Sequence, residues 1–384
     1  MSFAQTWHPD HLHGGDRIYI GLDVHKNLCY ATFVDERGEV VDRRKFPNTR
    51  EGVSRFVSEL SSADAVVMEA TSHWQYIYDA LEEAGVEVCL SHPLKTRAIA
   101  EARIKTDKVD SEILAQLLRT NFLPRAYVPS REIRDFRAIV RYRAAVNRAR
   151  VEVKNRIHAL LAKHGVRHEF SDLFGKRGIE FLKELELSGV DKVILISELK
   201  HLEFLNRELE NLSRYIADLS VEMKEVRLLM TIPGVDFYSA LVILSEIGSV
   251  ERFSSAKKLC SYAGLVPGVH SSGGRVYHGR ITKQGSRYLR WILVQVAHVA
   301  VRREGRLRDF YLRLARRKGK KVAIVACARK LLVWIYHMLI RAEPYCEERK
   351  ELTEYKLRRM RRVARPYPFS EEVVERLISA NVDT

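Results

Sequence analysis

"RIYIGLDV", residues 17–24, sets Ile18, Tyr19, Ile20, Leu22 and Val24 around Gly21 and ends beside an acid, Asp23. Bulky β-branched and aromatic residues in so short a run predict a β-strand. "CYATFVD" (29–35) follows as a second strand, "ERG" (36–38) as its turn, and "EVVDRRKFPN" (39–48) as a third strand. Residues 50–61 carry apolar positions at helical spacing. "ADAVVMEA" (63–70) is nearly all apolar, the pattern of a central strand buried on both faces. A helix over 73–85 ends on Gly85 as its C′ residue, "VEVCLSH" (86–92) is another strand, Pro93 opens the next segment, and 107–120 reads as an amphipathic helix. Strands interleaved with helices define an α/β region.

The composition narrows what such a region could serve. Lys and Arg number 65 against 49 Asp and Glu in 384 residues, a formal charge of +16, which implies a polyanionic partner, most plausibly nucleic acid. No apolar run approaches the roughly 20 residues of a spanning helix, so no membrane partner is expected. The five cysteines, Cys29, Cys89, Cys260, Cys327 and Cys346, are scattered without a CxxC, which fits reduced thiols and a cytoplasmic location. Residues 1–16 read as a flexible leader, where His8, His11 and His13 lack the Cys or carboxylate partners that complete a metal site.

Beyond the α/β region the pattern turns helical. Residues 131–164 form one long basic helix: Arg131 to Lys163 holds ten Lys or Arg against three acids, with Phe136, Val140, Val153, Ile157 and Leu160 on one face. Leu202, Leu205, Leu209, Leu212, Ile216, Leu219, Met223 and Val226 then recur at alternating spacings of 3 and 4, a heptad that predicts a coiled coil. Its partner is either the basic helix folding back or a second subunit. "LLMTIPGVDFYSALVILSEIG" (228–248) reads as helix, Pro-Gly hairpin, helix; "SSAKKLCSYAGL" (254–265) as another helix; 286–303 and 320–341 as two more. The tail carries "RRMRRVAR" (358–365), expected to be partly disordered. The resulting domains are 1–16, 17–128, 129–227, 228–342 and 343–384.

Two groups of residues carry chemistry. Asp23 and Glu69 close two strands of an α/β sheet, where ligands gather beyond the carboxyl ends. In "KTDKVD" (105–110), Asp107 and Asp110 stand at i and i+3 on one helix face. A D-x-x-D on a helix is usually a solvated face, and an Asp at a strand end is usually a turn or cap. Were the four to meet, they could not all be ionised without cations, and Mg²⁺ would relieve the repulsion. Two such ions suit phosphodiester chemistry, one activating the attacking oxygen and one stabilising the leaving oxygen.

The second group is "GLVPGVHSSGGRVYHGRITKQGSRYLRW" (264–291), read as a Gly- and Ser-rich loop. Gly273 and Gly274 let the backbone approach a phosphate, Ser271 and Ser272 offer hydroxyls, and Arg275, Arg280, Lys283 and Arg287 supply charge. A serine needs activation to be a nucleophile, and only His270 and His278 lie nearby, so phosphate binding is the plainer reading of these residues alone. At the Pro-Gly hairpin, Gly234 and Pro233 precede a helix whose first N–H groups could hold a phosphate. The basic helix, "ARRKGKK" (315–321) and "RRMRRVAR" are further phosphate-contact candidates, and Tyr142, Tyr262, Tyr288 and Trp291 are candidates for either base stacking or core.

"YIGLDVHK", "VVMEAT" and "KTDKVDSEILAQLL" resemble the motifs of the DEDD insertion-sequence transposases, the family that includes the Piv-type invertases and the bridge-RNA-guided recombinases. The resemblance covers 17 to about 128 and resumes from about 228 to 340. It implies an α/β RuvC-like, RNase H-type N-terminal domain and a C-terminal transposase domain; the heptad between them adds a helical coiled-coil middle, and the residues of the C-terminal domain read as mostly α with a helix-hairpin-helix-like segment. It implies that Asp23, Glu69, Asp107 and Asp110 bind Mg²⁺, two ions in all. "GLVP…SSGG…GRITKQG…LR" resembles the family's C-terminal signature, whose serine attacks DNA and becomes a covalent phosphoserine. The match falls on Ser272, with Ser271 adjacent. The same resemblance implies a composite site of serine and metal, a non-coding bridge RNA pairing with donor and target DNA, and a homo-oligomer, a dimer that becomes a tetramer on DNA.

The expected activity is thus site-specific DNA recombination. The alternative is a junction-resolving endonuclease that uses metal-activated water; it would share the carboxylates but has no use for the "SSGG" segment. A non-catalytic binding protein would not need four acids that repel phosphate.

Overall fold

The computed structural model describes residues 17–99, 106–272 and 275–367. The chain divides into two compact units, 1–128 and 129–384.

In the first unit, β1 (Tyr19–Val24), β2 (Leu28–Val34) and β3 (Val40–Pro47) form an antiparallel meander. Helix α1 (Arg50–Ser58) leads into β4 (Ala65–Glu69), α2 (Trp74–Glu83) into β5 (Glu87–Ser91), and both strands run parallel to β1. The short helix α3 (Pro93–Ile99), α4 (Asp107–Arg119) and the two-residue strand β6 (Arg125–Ala126) complete the unit, with strand order β3-β2-β1-β4-β5-β6. The mixed sheet is compatible with the RuvC-like expectation. Gly85 takes a positive φ of 75° after the C-cap of α2, as its C′ position requires.

The sheet is buried on both faces, which explains why β4 shows no alternation. Val66 and Met68 pack with Ile20, Leu22, Phe56, Ile77 and Leu81 on the side of α1 and α2. Ala65 and Val67 pack with Leu114 and Leu118 of α4 on the other. Strand parity therefore assigns Gly21 and Asp23, and likewise Glu69, to the α4 side.

Helix α4 lies unusually close to β1. A Cβ on Gly21 would stand 1.9 Å from the Ser111 carbonyl oxygen, so only glycine permits this approach. In register beside Gly21 is Thr32, whose buried hydroxyl shares a 2.7 Å hydrogen bond with Ser111 Oγ. Arg43 pairs with Glu112 at 2.7 Å, and Gln116 donates to the Gly38 carbonyl at 2.7 Å. Thr106 caps the helix by accepting from the Val109 N–H.

The second unit begins with α5 (Arg131–Lys163), followed by α6 (Lys176–Glu184) and α7 (Gly189–Ser220). The leucine seam of α7 packs on α5 of the same chain: Leu195, Leu202, Leu205 and Leu209 meet Val146, Val153, Ile157 and Leu160. The pairs Arg143–Ser213, Arg156–Glu198 and Lys163–Asp191 run in opposite senses along the two helices, which are therefore antiparallel. The heptad does not continue to Val226 as one helix. α7 stops at Ser220, and Val226 lies on α8 (Lys224–Leu229).

At the centre of this unit is α9 (Phe237–Ile247), every residue of which is buried. Around it lie α10 (Ala256–Tyr262), α11 (Arg287–Ala300), α12 (Arg306–Lys318), α13 (Lys320–Arg341) and α14 (Lys350–Val363). Three expectations are corrected. The Gly- and Ser-rich loop is a β-hairpin, β7 (Pro267–Ser272) with β8 (Arg275–Ile281). Most of the basic tail segment is helical in α14, with Met360 fully buried. One helix, α13, is long and apolar enough by length and composition to cross a membrane. Its Ile324, Cys327, Leu331, Leu332 and Ile335 belong to the core of this unit.

Gly21→Ala should destabilise the protein by about 3 kcal/mol, the upper range for overpacking, because backbone rather than a flexible side chain blocks the new methyl. Thermal unfolding checks this, and a wild-type melting curve would contradict the seating of α4 on β1.

Candidate active site

The register of the sheet brings the first two acids together. Leu22 pairs with Met68 across the parallel β1/β4 boundary, so Asp23 and Glu69 stand one step further on, at neighbouring strand ends. The Gly21 approach then delivers the first turn of α4, with Asp107 and Asp110, to the same end.

Between Asp23 and Asp107 sits His25, whose Nε2 lies 3.2 Å from Asp23 Oδ2 and 3.2 Å from Asp107 Oδ1. Ligand-capable atoms of these three residues all fall within 4.8 Å of one another. Burial raises the pKa of Asp23; the His25 imidazole opposes this, and the charges of Asp107 and Asp110 add to it. The Asp23 carboxylate in turn raises the pKa of His25, with Asp107 contributing. The loop bearing His25 is fixed by Asn48, which donates to the His25 carbonyl at 2.6 Å and itself accepts from the Tyr76 hydroxyl. Glu69 is partly buried at the tip of β4.

Sequence reasoning named the four acids and missed His25. The signal was present in "DVHK", two residues beyond Asp23, but nothing in the spacing connects it to Asp107, which the fold supplies.

A half-buried carboxylate whose pKa is raised by burial, and further by acidic neighbours, gains from a cation. Hard oxygen donors on two strand ends and a helix turn fit Mg²⁺ or Mn²⁺, and the His25 imidazole stands within reach as a further ligand.

The second candidate, the serine segment, lies at the tip of the β7/β8 hairpin. Ser272 faces Arg275 in register and Ser271 faces Val276. Gly273 and Gly274 themselves, like His8, His11 and His13, lie outside the described residues. The hairpin is clamped at its base. Thr282 N–H donates to the Val266 carbonyl at 2.9 Å, and Arg290 donates to the Ala263 carbonyl at 2.9 Å. Gly285, with a φ of 101°, passes so close to the Tyr262 carbonyl that a Cβ would lie 1.8 Å from its oxygen.

Beneath this base lies a buried carboxylate that sequence reasoning also missed. Glu246, 1% exposed, receives both nitrogens of the Arg141 fork at 2.7 and 2.9 Å and the Ser286 hydroxyl at 2.8 Å. Ser286 is the N-cap of α11, and the Tyr262 hydroxyl donates to the Glu246 carbonyl at 3.1 Å. The Glu246 carboxylate thereby ties α9 to α5 and α11 under the hairpin, and its backbone carbonyl adds α10.

Arg280, Lys283 and Arg287 are exposed. The hairpin at Gly234 is engaged otherwise than expected. Asp236 closes the first turn of α9 with a capping box, taking the N–H of Ser239. Gly234, with a φ of 87°, packs on Val299 and the Val296 carbonyl. The Lys356 ammonium donates to the carbonyls of Met230, Ile232 and Val235, sealing the turn from the other side. Among the aromatic candidates Tyr262 is structural, whereas Tyr142 and Trp291 are 54% and 38% exposed.

A mixed sheet of this order with acids at its strand ends, and a helical unit that carries a serine hairpin, are compatible with a nuclease-like enzyme of DNA rearrangement. Two family profiles match: one described as "Transposase", of the DEDD type, over residues 20–165, and one described as "Transposase IS116/IS110/IS902 family" over 226–312. The chain belongs to this DEDD family of insertion-sequence transposases. It is 26% identical over 341 residues to the transposase for insertion sequence element IS1111A of Coxiella burnetii, covering 85% of this chain and 90% of that one. It is 27% identical over 337 residues to a probable family 20 transposase of Pseudomonas aeruginosa, covering 85% and 98%. It is also 26% identical over 347 residues to a pilin gene-inverting protein of Moraxella bovis, covering 86% and 98%. The protein is a transposase, an enzyme that transfers DNA.

Asp23→Asn and Asp107→Asn should each weaken Mn²⁺ binding about tenfold or more, read by the paramagnetic signal of free Mn²⁺. Glu112→Gln, on the same helix as Asp107 but with its carboxylate held by Arg43 of β3, should leave the affinity unchanged. Equal affinity in all three variants would place the metal elsewhere.

Proposed function

We propose that this transposase is a site-specific recombinase that attaches itself covalently to DNA through Ser272, with Asp23, Glu69, Asp107 and Asp110 as its Mg²⁺ ligands. The reading is carried by one observation: Asp23 and Asp107 flank His25 at 3.2 Å at the strand ends, with the charge of Asp110 acting on Asp23. Bound there, two Mg²⁺ ions would supply charge neutralisation at the attacking and leaving oxygens.

In the proposed step the Ser272 hydroxyl oxygen bonds to the DNA phosphorus, and the bond from phosphorus to the leaving deoxyribose oxygen breaks. The serine proton leaves with the displaced oxygen. The phosphoserine ester keeps the energy of the broken linkage, so a second strand's hydroxyl can displace the serine and restore a phosphodiester. Support for Ser272 over Ser271 is its place directly before Gly273 in the sequence, in register with Arg275 as the last pair of a hairpin clamped at its base. Arg275, Arg280, Lys283 and Arg287, with the Gly273–Gly274 backbone, are proposed DNA contacts on the same hairpin and its exit. Gly234 is left to packing.

A bridge RNA as guide fits the strong positive charge, since base pairing would choose sites while the protein holds backbones. A homo-oligomer is supported by α7, whose first turns leave Val190 and Val193 75% and 67% exposed even though its leucine seam is filled by α5. The work of the relative named for inverting a pilin gene suggests inversion or insertion of a defined DNA segment here. The endonuclease reading predicts cleavage without attachment.

Incubation with donor DNA, element-flanking RNA and Mg²⁺, followed by denaturation, should reveal a protein–DNA adduct. Ser272→Ala and Asp23→Ala should each lower its yield about 10³-fold or more, and Ser271→Ala should keep it. Cleavage that persists in Ser272→Ala without any adduct would make the enzyme a water-using nuclease.

A further inference from the structure

Outside both candidate sites, α5, α7 and α14 enclose an open cavity of about 620 Å³ lined by Arg143, Arg150, Arg214, Arg359, Arg362 and Arg365. Glu210 is the one acid in its wall. Among the described residues only Arg214 has a carboxylate partner there, Glu210 itself. Arg143 is held in place, donating to Ser213 Oγ at 2.9 Å with its guanidinium 4.0 Å over the Tyr238 ring. Arg150 is fixed by its 2.7 Å bond to Asn147 Oδ1, yet its Nε is buried without a partner. Burial and the Arg143 charge both disfavour the charged form of Arg150. Arg359 and Arg362 stand on α14 one turn apart, exposed, and Arg365 follows the helix.

Several guanidinium groups held together without counter-ions carry a repulsive energy that an anion would remove. The Arg150 Nε–H, buried without a partner, is one more unmet donor among these residues. Arginine forks match the oxygens of a phosphate in pairs, and an open wall suits an anion that is part of a longer strand. We propose that this cavity is a nucleic-acid backbone pocket, in which Arg143 and Arg150 form a fixed floor for a phosphodiester and Arg359 and Arg362 close over the neighbouring phosphates. Two basic segments far apart in sequence, the α5 helix and the end of α14, thereby serve one site. The inference rests on the reading that the chain binds nucleic acid, and it adds where one strand is held.

The test uses the full-length protein with a labelled 30-nucleotide single-stranded RNA and a labelled 30-base-pair DNA duplex, each titrated by anisotropy across a series of NaCl concentrations. The variants are Arg359→Gln/Arg362→Gln, Arg150→Gln, and Lys176→Gln/Lys200→Gln as a charge-matched control on exposed positions of α6 and α7. Thermal unfolding verifies that each is folded. For the strand that occupies the cavity, the double arginine variant should bind at least tenfold more weakly at 0.15 M salt. Its slope of log K against log salt should be shallower by about 1.4 for the RNA or about 1.8 for the duplex, two lost phosphate contacts in either case. Arg150→Gln should weaken the same strand, and the lysine control should track wild type. A loss on RNA alone or duplex alone names the source of the phosphate. Arginine variants that match the control on both probes would overturn the pocket while leaving nucleic-acid binding intact. Wild type that binds neither probe would overturn both.

Discussion

The close approach of α4 to β1 is the contact on which the first unit depends. It needs a residue without a side chain at Gly21, because the Ser111 carbonyl occupies the space a methyl would fill. It is pinned by a buried hydroxyl pair, Thr32 and Ser111, at 2.7 Å. A helix seated this deeply brings its first turn level with the strand ends. The acids of that turn therefore meet Asp23 instead of dispersing into solvent. Fold and proposed site share a cause: packing one apolar helix onto a sheet sets like charges side by side, and a bound cation would relieve what the packing imposes.

The second unit solves a different problem, that of holding a thin hairpin rigidly. A two-stranded ribbon is marginal by itself. Here its base is clamped to the end of α10 and the start of α11, and the clamp stands on Glu246, whose charge is met by the Arg141 fork and the Ser286 hydroxyl. Burying that carboxylate is costly unless all its partners stay in place. The network thus couples the orientation of the hairpin to the packing of four helices.

Much of this was legible in the sequence where periodicity and burial agree. β1 to β5, α4, α5 and the leucine seam of α7 follow from apolar spacing alone, whereas placement at strand ends and a helix start made Asp23, Glu69, Asp107 and Asp110 only candidates, and the family resemblance singled them out. The β7/β8 hairpin was not legible, because Gly268, Gly273, Gly274 and Gly279 dilute its strand pattern and two serines precede the turn. α12 was hidden for the opposite reason: its charged residues leave Leu307 as its one fully buried position, so no stripe stands out. The end of the heptad was overrun because Met223 and Val226 keep the spacing in sequence while the chain has already turned. His25 and Glu246 were missed because their partners lie far along the chain, and sequence spacing reports only local neighbours.

The most direct measurement of the central claim, that strand ends and α4 build one metal site, is affinity cleavage. Fe²⁺ is exchanged for Mg²⁺ in the full-length protein and ascorbate with peroxide is added, so that hydroxyl radicals cut the backbone near the bound ion. Fragment ends should cluster around residues 22–25, 68–70 and 106–111 together, and excess Mg²⁺ should suppress all three alike. Cuts at only one of these segments, or at none of them, would contradict the site.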